Sequence, residues 1–152
     1  MVVQKFGGTS VADPDAIRRL IAIAHSSRTR HGRGPVIVVS AMSRVTDALL
    51  SVAADAGSAQ LDKALAQIDQ LRERHAVTAR ALVSPPDVGA LLDAIDRQCD
   101  ELAAVARALA VLREVSPRTL DVIAAMGELL SSRIVAAAIS AEKHWLSLVN
   151  CE

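Results

Sequence analysis

The sequence predicts an α/β fold in which parallel strands are joined by a crossover helix and followed by a long helical hairpin. Three observations carry that expectation. Two short apolar runs, Met1-Val2-Val3 and Val36-Ile37-Val38-Val39, flank a stretch with helical periodicity, an order that normally gives adjacent parallel strands with a right-handed crossover. From Leu61 onward apolar residues recur every three or four positions, the helical period. With 152 residues, 51% of them hydrophobic, the chain is long enough for one substantial core, and one domain is expected.

The first strand continues through Gln4 and Lys5 into Phe6-Gly7-Gly8-Thr9-Ser10-Val11. Asp13-Pro14-Asp15 then supplies an N-cap, a proline for the first helical turn and an acidic residue near the positive helix end. Ile17, Leu20, Ile21 and Ala24 follow at helical spacing, and Gly32 with Gly34-Pro35 stops the helix before the second strand. Thr46 to Ala56 reads as a further helix, ended by Gly57-Ser58. Leu61, Leu65, Ile68, Leu71, His75, Ala79 and Leu82 form the seam of a longer one. Ser84-Pro85-Pro86-Asp87 breaks the pattern, with Asp87 as the candidate cap of a restart.

The restarted helix carries Val88, Leu92, Ile95, Cys99, Leu102, Ala106 and Leu109 at heptad spacing. The two long helices, over about 60–113, most simply fold back on each other as an antiparallel pair. Ser116-Pro117 opens a last helical region. Gly127 is expected to interrupt it, as a bend or a close backbone approach, so that Glu128 starts a new helix whose positive end keeps its carboxylate ionised. Residues 144–152 are expected to form a third strand.

Charge and composition exclude several function classes. Seventeen basic and 17 acidic residues cancel, and one Phe, one Trp and no Tyr leave almost nothing to stack on bases, so nucleic acid is not an expected partner. Neither is a membrane: the start of the chain lacks a basic region followed by a long apolar one, and the alanine-rich stretch from Ile134 to Ile139 is too short to span, between Arg133 and Glu142. The chain therefore reads as cytoplasmic. Cys99 and Cys151 lack metal-ligand spacing, and Cys99 reads as a small core residue; His25, His31, His75 and His144 are scattered, so no metal site is expected. Arg28, Arg30, Arg33 and His31 read as a solvated basic helix end.

The chemistry concentrates near the start. A strand that ends in lysine and spills into paired glycines and hydroxyls can present backbone N–H groups and one ammonium to a polyphosphate. A main chain that touches an anion leaves no room for a Cβ and often needs positive φ, which favours Gly7 and Gly8. Lys5 is a point charge on a flexible stem. By itself a glycine pair after a strand is more often a tight turn.

The whole string K-F-G-G-T-S-V-A from Lys5 resembles the opening of aspartate kinases, in the amino-acid kinase superfamily. Two later stretches are similar to the same family in the same order: Ser40-Ala41 with Val45-Thr46-Asp47-Ala48-Leu49-Leu50, and Met126-Gly127-Glu128-Leu129-Leu130-Ser131-Ser132. The similarity runs from Met1 to about Trp145, after which the aspartate and arginine that the family carries are missing.

The resemblance implies a three-layer αβα amino-acid kinase-like fold, of which residues 1–152 supply the amino-acid-binding N-terminal half. The helical hairpin would cover the amino-acid side. It implies that Lys5 is catalytic and binds the transferring phosphates, with Gly7, Gly8 and Ser10 at the same place. Ser40 and Thr46 would line the aspartate pocket, and Glu128 would accept the substrate's α-ammonium. From the residues alone, Ser40 reads sooner as a strand-end turn residue, Thr46 as a helix N-cap and Glu128 as a helix-start carboxylate.

The implied partners are L-aspartate and ATP, with Mg²⁺ as part of the nucleotide complex and no tightly bound cofactor. The nucleotide-binding half and the regulatory ACT domains of the family are not found in these residues, so the piece alone is expected to turn over little, and a homo-oligomer through its open sheet edge is conceivable. A kinase for another acceptor and a non-catalytic interaction module built on the hairpin are the competing readings; K-F-G-G-T-S and Gly127-Glu128 argue against the first.

Overall fold

The computed structural model describes residues 2–142. The expected third strand, Trp145, His144 and Cys151 lie outside the described residues. Strand β1 (Val3–Phe6) pairs in parallel with β2 (Val36–Val39), Val3 opposite Val36 and Phe6 opposite Val39. Helix α1 (Pro14–His31) connects them. Its start is set locally, because the Asp13 carboxylate accepts the Ala16 N–H at 2.8 Å and Pro14 opens the first turn. Its end is equally local. Gly32 adopts φ of 66° and donates its N–H to the Arg28 carbonyl, an αL cap that a side chain would strain.

Four helices follow: α2 (Val45–Gly57), α3 (Leu61–Leu82), α4 (Pro85–Leu112) and α5 (Pro117–Ala141). One face of the sheet, with Phe6, Ile37 and Val39, packs on the common core. The other is open: Val3, Val36 and Val38 are 56%, 47% and 43% exposed, beside exposed Lys5. This helix-rich arrangement around a short parallel sheet matches part of a three-layer αβα fold.

The hairpin of α3 and α4 turns on Val83 and Ser84 and buries Ile68, Leu71, His75 and Ala79 with Leu91, Ile95, Cys99, Leu102, Ala106 and Leu109. Arg72 staples the pair, donating to Asp96 at 2.9 Å and Asp100 at 2.7 Å. Burial pushes the Cys99 thiol up to about 11, so it stays protonated and unreactive. Where α3 meets α2, the Asp55 carboxylate accepts from Lys63 at 3.0 Å and Gln67 at 2.7 Å. The hydrogen bond from Lys63 above all holds its carboxyl below the usual range.

Three local expectations need correction. Asp87 does not cap α4: Ser84 is the N-cap residue, Pro85 takes the first turn, and the Ser84 hydroxyl donates to the Asp87 carboxylate at 2.8 Å. Proline fits the first helical residue best, and that places the cap one residue before Pro85. Gly127 does not interrupt α5, which runs unbroken from Pro117 to Ala141, so Glu128 sits mid-helix with no helix end beside it. The stretch from Ile134 to Ile139 consequently belongs to a 25-residue helix that by length and composition is apolar enough to cross a membrane. One side of that helix, with Ile123, Met126, Leu130, Ile134 and Ala138, is buried, and the helix packs on α2, α3 and α4.

Candidate active site at the strand ends

Parallel strands end at the same level, and here the backbone ties the two ends together. The Ser40 N–H donates to the Phe6 carbonyl at 3.1 Å, so the chain leaving β2 begins beside the glycine turn that follows β1. That turn is a single 3₁₀ turn, Gly8–Val11, in which the Ser10 N–H donates to Gly7 at 2.9 Å. After β2 the chain turns again, Val45 donating to the Met42 carbonyl, and Arg44 takes a left-handed φ of 63° at the start of α2. A non-glycine residue held there costs about 1 kcal/mol or more.

Neither glycine of the pair needs positive φ, since Gly7 is extended with φ of −76° and Gly32 is the described glycine with positive φ; the expected lack of room for a Cβ holds for Gly8 and not for Gly7. A Cβ on Gly8 would lie 3.0 Å from the Ala41 carbonyl oxygen and 3.6 Å from Ser43 Cα. The two loops therefore touch at Gly8. Nothing lies within 4 Å of the corresponding point on Gly7.

Helix α5 closes the arrangement. A Cβ on Gly127 would sit 3.0 Å from Ala41 Cβ and Leu49 Cδ1 and 3.1 Å from Val45 Cγ1. The missing side chain is what lets α5 reach the loop after β2, at an intrinsic helix cost of about 1 kcal/mol relative to alanine. The fully buried Ser131 hydroxyl is 2.7 Å from the Ser40 carbonyl and 3.0 Å from that of Glu128. A donor with no access to water fixes α5 to the end of β2.

This framework brings Gly8, Ser40, Thr46 and Glu128 to one end of the sheet. Ser40 is half-buried; Thr46 and Glu128 are exposed, next to Val45 and Gly127 that pack together. Thr46 lies inside α2, which begins at Val45, so capping does not account for it. Lys5 stands opposite Val38 and leaves by the open face of the sheet. Ser10, with Phe6, Thr9 and Arg19, lines a cavity of about 270 Å³ on the α1 side.

The roles of two further contributors were not assigned from the sequence. Ser131 is a small polar residue on the buried side of an apolar helix, a faint signal of a buried hydrogen bond. Arg74 on α3 donates to the main-chain carbonyls of Ser43 at 2.8 Å and Ala12 at 3.2 Å, and nothing in the spacing of α3 announces it.

Against this geometry, the family model described as the amino acid kinase family matches residues 1–147. The chain is 38% identical over 148 residues to an aspartokinase of Schizosaccharomyces pombe, covering 91% of this chain and 27% of that protein. It is 31% identical over 133 residues to a chloroplastic bifunctional aspartokinase/homoserine dehydrogenase of Arabidopsis thaliana, covering 88% of this chain and 14% of that one. Among solved structures, E. coli aspartokinase III in complex with aspartate and ADP superposes with a TM-score of 0.76 at 25% identity, over 94% of this chain and 29% of that chain. The chain thus spans between 14% and 27% of the length of these curated relatives.

Proposed function

Because the chain belongs to the amino acid kinase family, we propose that it forms the amino-acid-binding and phosphate-contacting part of an aspartate kinase. The reaction is ATP plus L-aspartate giving ADP plus 4-phospho-L-aspartate. The observation that carries this reading is the seam at Gly127 and Ser131, which holds Glu128's helix against the loop that begins at Ser40 and the start of α2 that bears Thr46, beside Gly8. In this reading the amino acid and the terminal phosphate meet there.

In this reading Glu128 accepts the α-ammonium, a charge-assisted contact that orients the substrate. Ser40 and Thr46 offer hydroxyls to its carboxylates. The side-chain carboxylate oxygen attacks the γ-phosphorus, the bond to the β-phosphate oxygen breaks, and ADP departs; no proton moves. Little covalent work falls to the protein, so Lys5 and the backbone N–H groups around Gly7 and Gly8 act by holding charge on the phosphoryl oxygens. In this reading Mg²⁺ arrives as part of the nucleotide complex, carried on its phosphates.

The test is calorimetric titration with L-aspartate, then L-glutamate, followed by a hydroxylamine trap for aspartyl phosphate in the chain joined to a nucleotide-binding half. L-Aspartate is expected to bind and L-glutamate not. Lys5→Ala should leave L-aspartate affinity within about twofold and slow trapping by about a hundredfold. Equal uptake of both amino acids contradicts the substrate, and an unchanged rate removes Lys5 from the phosphate role.

A further inference from the structure

We propose that Arg74 is a positioning residue that couples the loop after β1 to the loop after β2. Its guanidinium is half-buried, enters none of the ion pairs among the described residues, and donates to two carbonyls far apart in sequence: Ser43 at 2.8 Å and Ala12 at 3.2 Å. Removing a guanidinium from water without a carboxylate partner costs free energy that a surface arginine avoids. What the placement achieves is a rigid bridge. Planar, forked and permanently charged, the group holds two acceptors at one separation, which a lysine ammonium on a flexible stem does not.

The bridged segments are those that carry the site. Ala12 ends the turn that begins with Gly7 and Gly8, and Ser43 lies between Ser40 and Thr46. The loops already touch where Gly8 meets Ala41 and Ser43, and Arg74 clamps them from the hairpin side. The hairpin thus fixes the distance between phosphate-contacting and amino-acid-contacting groups, with the Arg74 guanidinium engaged by main-chain carbonyls. For what the loops bind, this inference rests on the aspartate kinase reading; the coupling rests on the two hydrogen bonds.

The experiment uses the ligand-free 152-residue chain and its Arg74→Met and Arg74→Lys variants. NMR amide exchange is followed at Ser10 and Val45, whose N–H groups close the two turns, and at Ile95 in the α4 core. L-Aspartate is then titrated into each. Arg74→Met should speed exchange at Ser10 and Val45 together by about tenfold, leave Ile95 unchanged and weaken L-aspartate by about tenfold or more. Arg74→Lys should fall between, keeping the charge but losing the fork.

Faster exchange at Ile95 by the same factor overturns the proposal, because Arg74 would then be a general stabiliser. So does loosening of one turn without the other, or unchanged L-aspartate affinity with both turns loosened. If the unaltered chain takes up no L-aspartate, the substrate reading falls, and exchange at the two turns alone upholds or overturns the coupling.

Discussion

The α3–α4 hairpin and the loops at the strand ends are built on opposite terms. In the hairpin, apolar residues fill a continuous seam and charged groups are matched, Arg72 with Asp96 and Asp100. At the strand ends Lys5, Thr46 and Glu128 are exposed, Arg44 holds a left-handed backbone, and Gly8 and Gly127 are placed for close approach. The difference teaches where stability and chemistry reside. The hairpin supplies a packed apolar body, and the strand ends keep charged and hydroxyl groups exposed to a ligand. Arg74 joins the hairpin to the strand ends, and Gly127 and Ser131 join α5 to them.

The strongest way to break that division is at a joint. Gly127→Val forces branched carbons into Ala41, Val45 and Leu49. Overpacking of this kind should cost about 3 kcal/mol, lowering Tm by roughly 6–12 °C. L-Aspartate affinity should fall with it, since α5 must move away from the loop. A variant as stable as the parent, measured by thermal melting, would mean that α5 does not rest on α2 as described.

A smaller effect sharpens the comparison from the hairpin side. His75 is fully buried, its Nδ1 lies 2.6 Å from the Leu71 carbonyl and its Nε2 has no partner. Desolvation above all, with Arg74 nearby, keeps the imidazole's pKa below its ordinary 6.5, so the folded ring is neutral. The unfolded chain therefore binds a proton that the folded chain refuses, and stability rises with pH between the lowered value and 6.5. Melting followed from pH 7 to pH 5 should show a loss that His75→Leu reduces, with L-aspartate affinity at pH 7 unchanged. An identical pH slope in the variant would place that proton elsewhere.

How far the sequence revealed these features depended on the range of the interaction. The start of α1 at Asp13-Pro14, its stop at Gly32, the start of α5 at Ser116-Pro117 and the strand pair were legible, because each is set by neighbours in the chain. The α3 and α4 seams were legible from periodicity. Gly127 was misleading as a helix breaker, since local propensity was outweighed by the contact it permits, while a close approach there was correctly anticipated. Ser84 and Asp87 both suit a cap, and only the proline register separates them. The bonds of Ser131 and Arg74 join residues separated by 91, 31 and 62 positions, beyond any local pattern.

The central claim is that Glu128, set mid-helix beside the loop of Ser40 and the start of α2 at Thr46, receives the ammonium group of L-aspartate. Calorimetric titration of L-aspartate into the parent and into Glu128→Gln, an exposed and nearly isosteric change, tests it most directly. The account predicts a loss of about tenfold or more in affinity with Tm within about 1 °C of the parent. Equal affinity in the two proteins would contradict it.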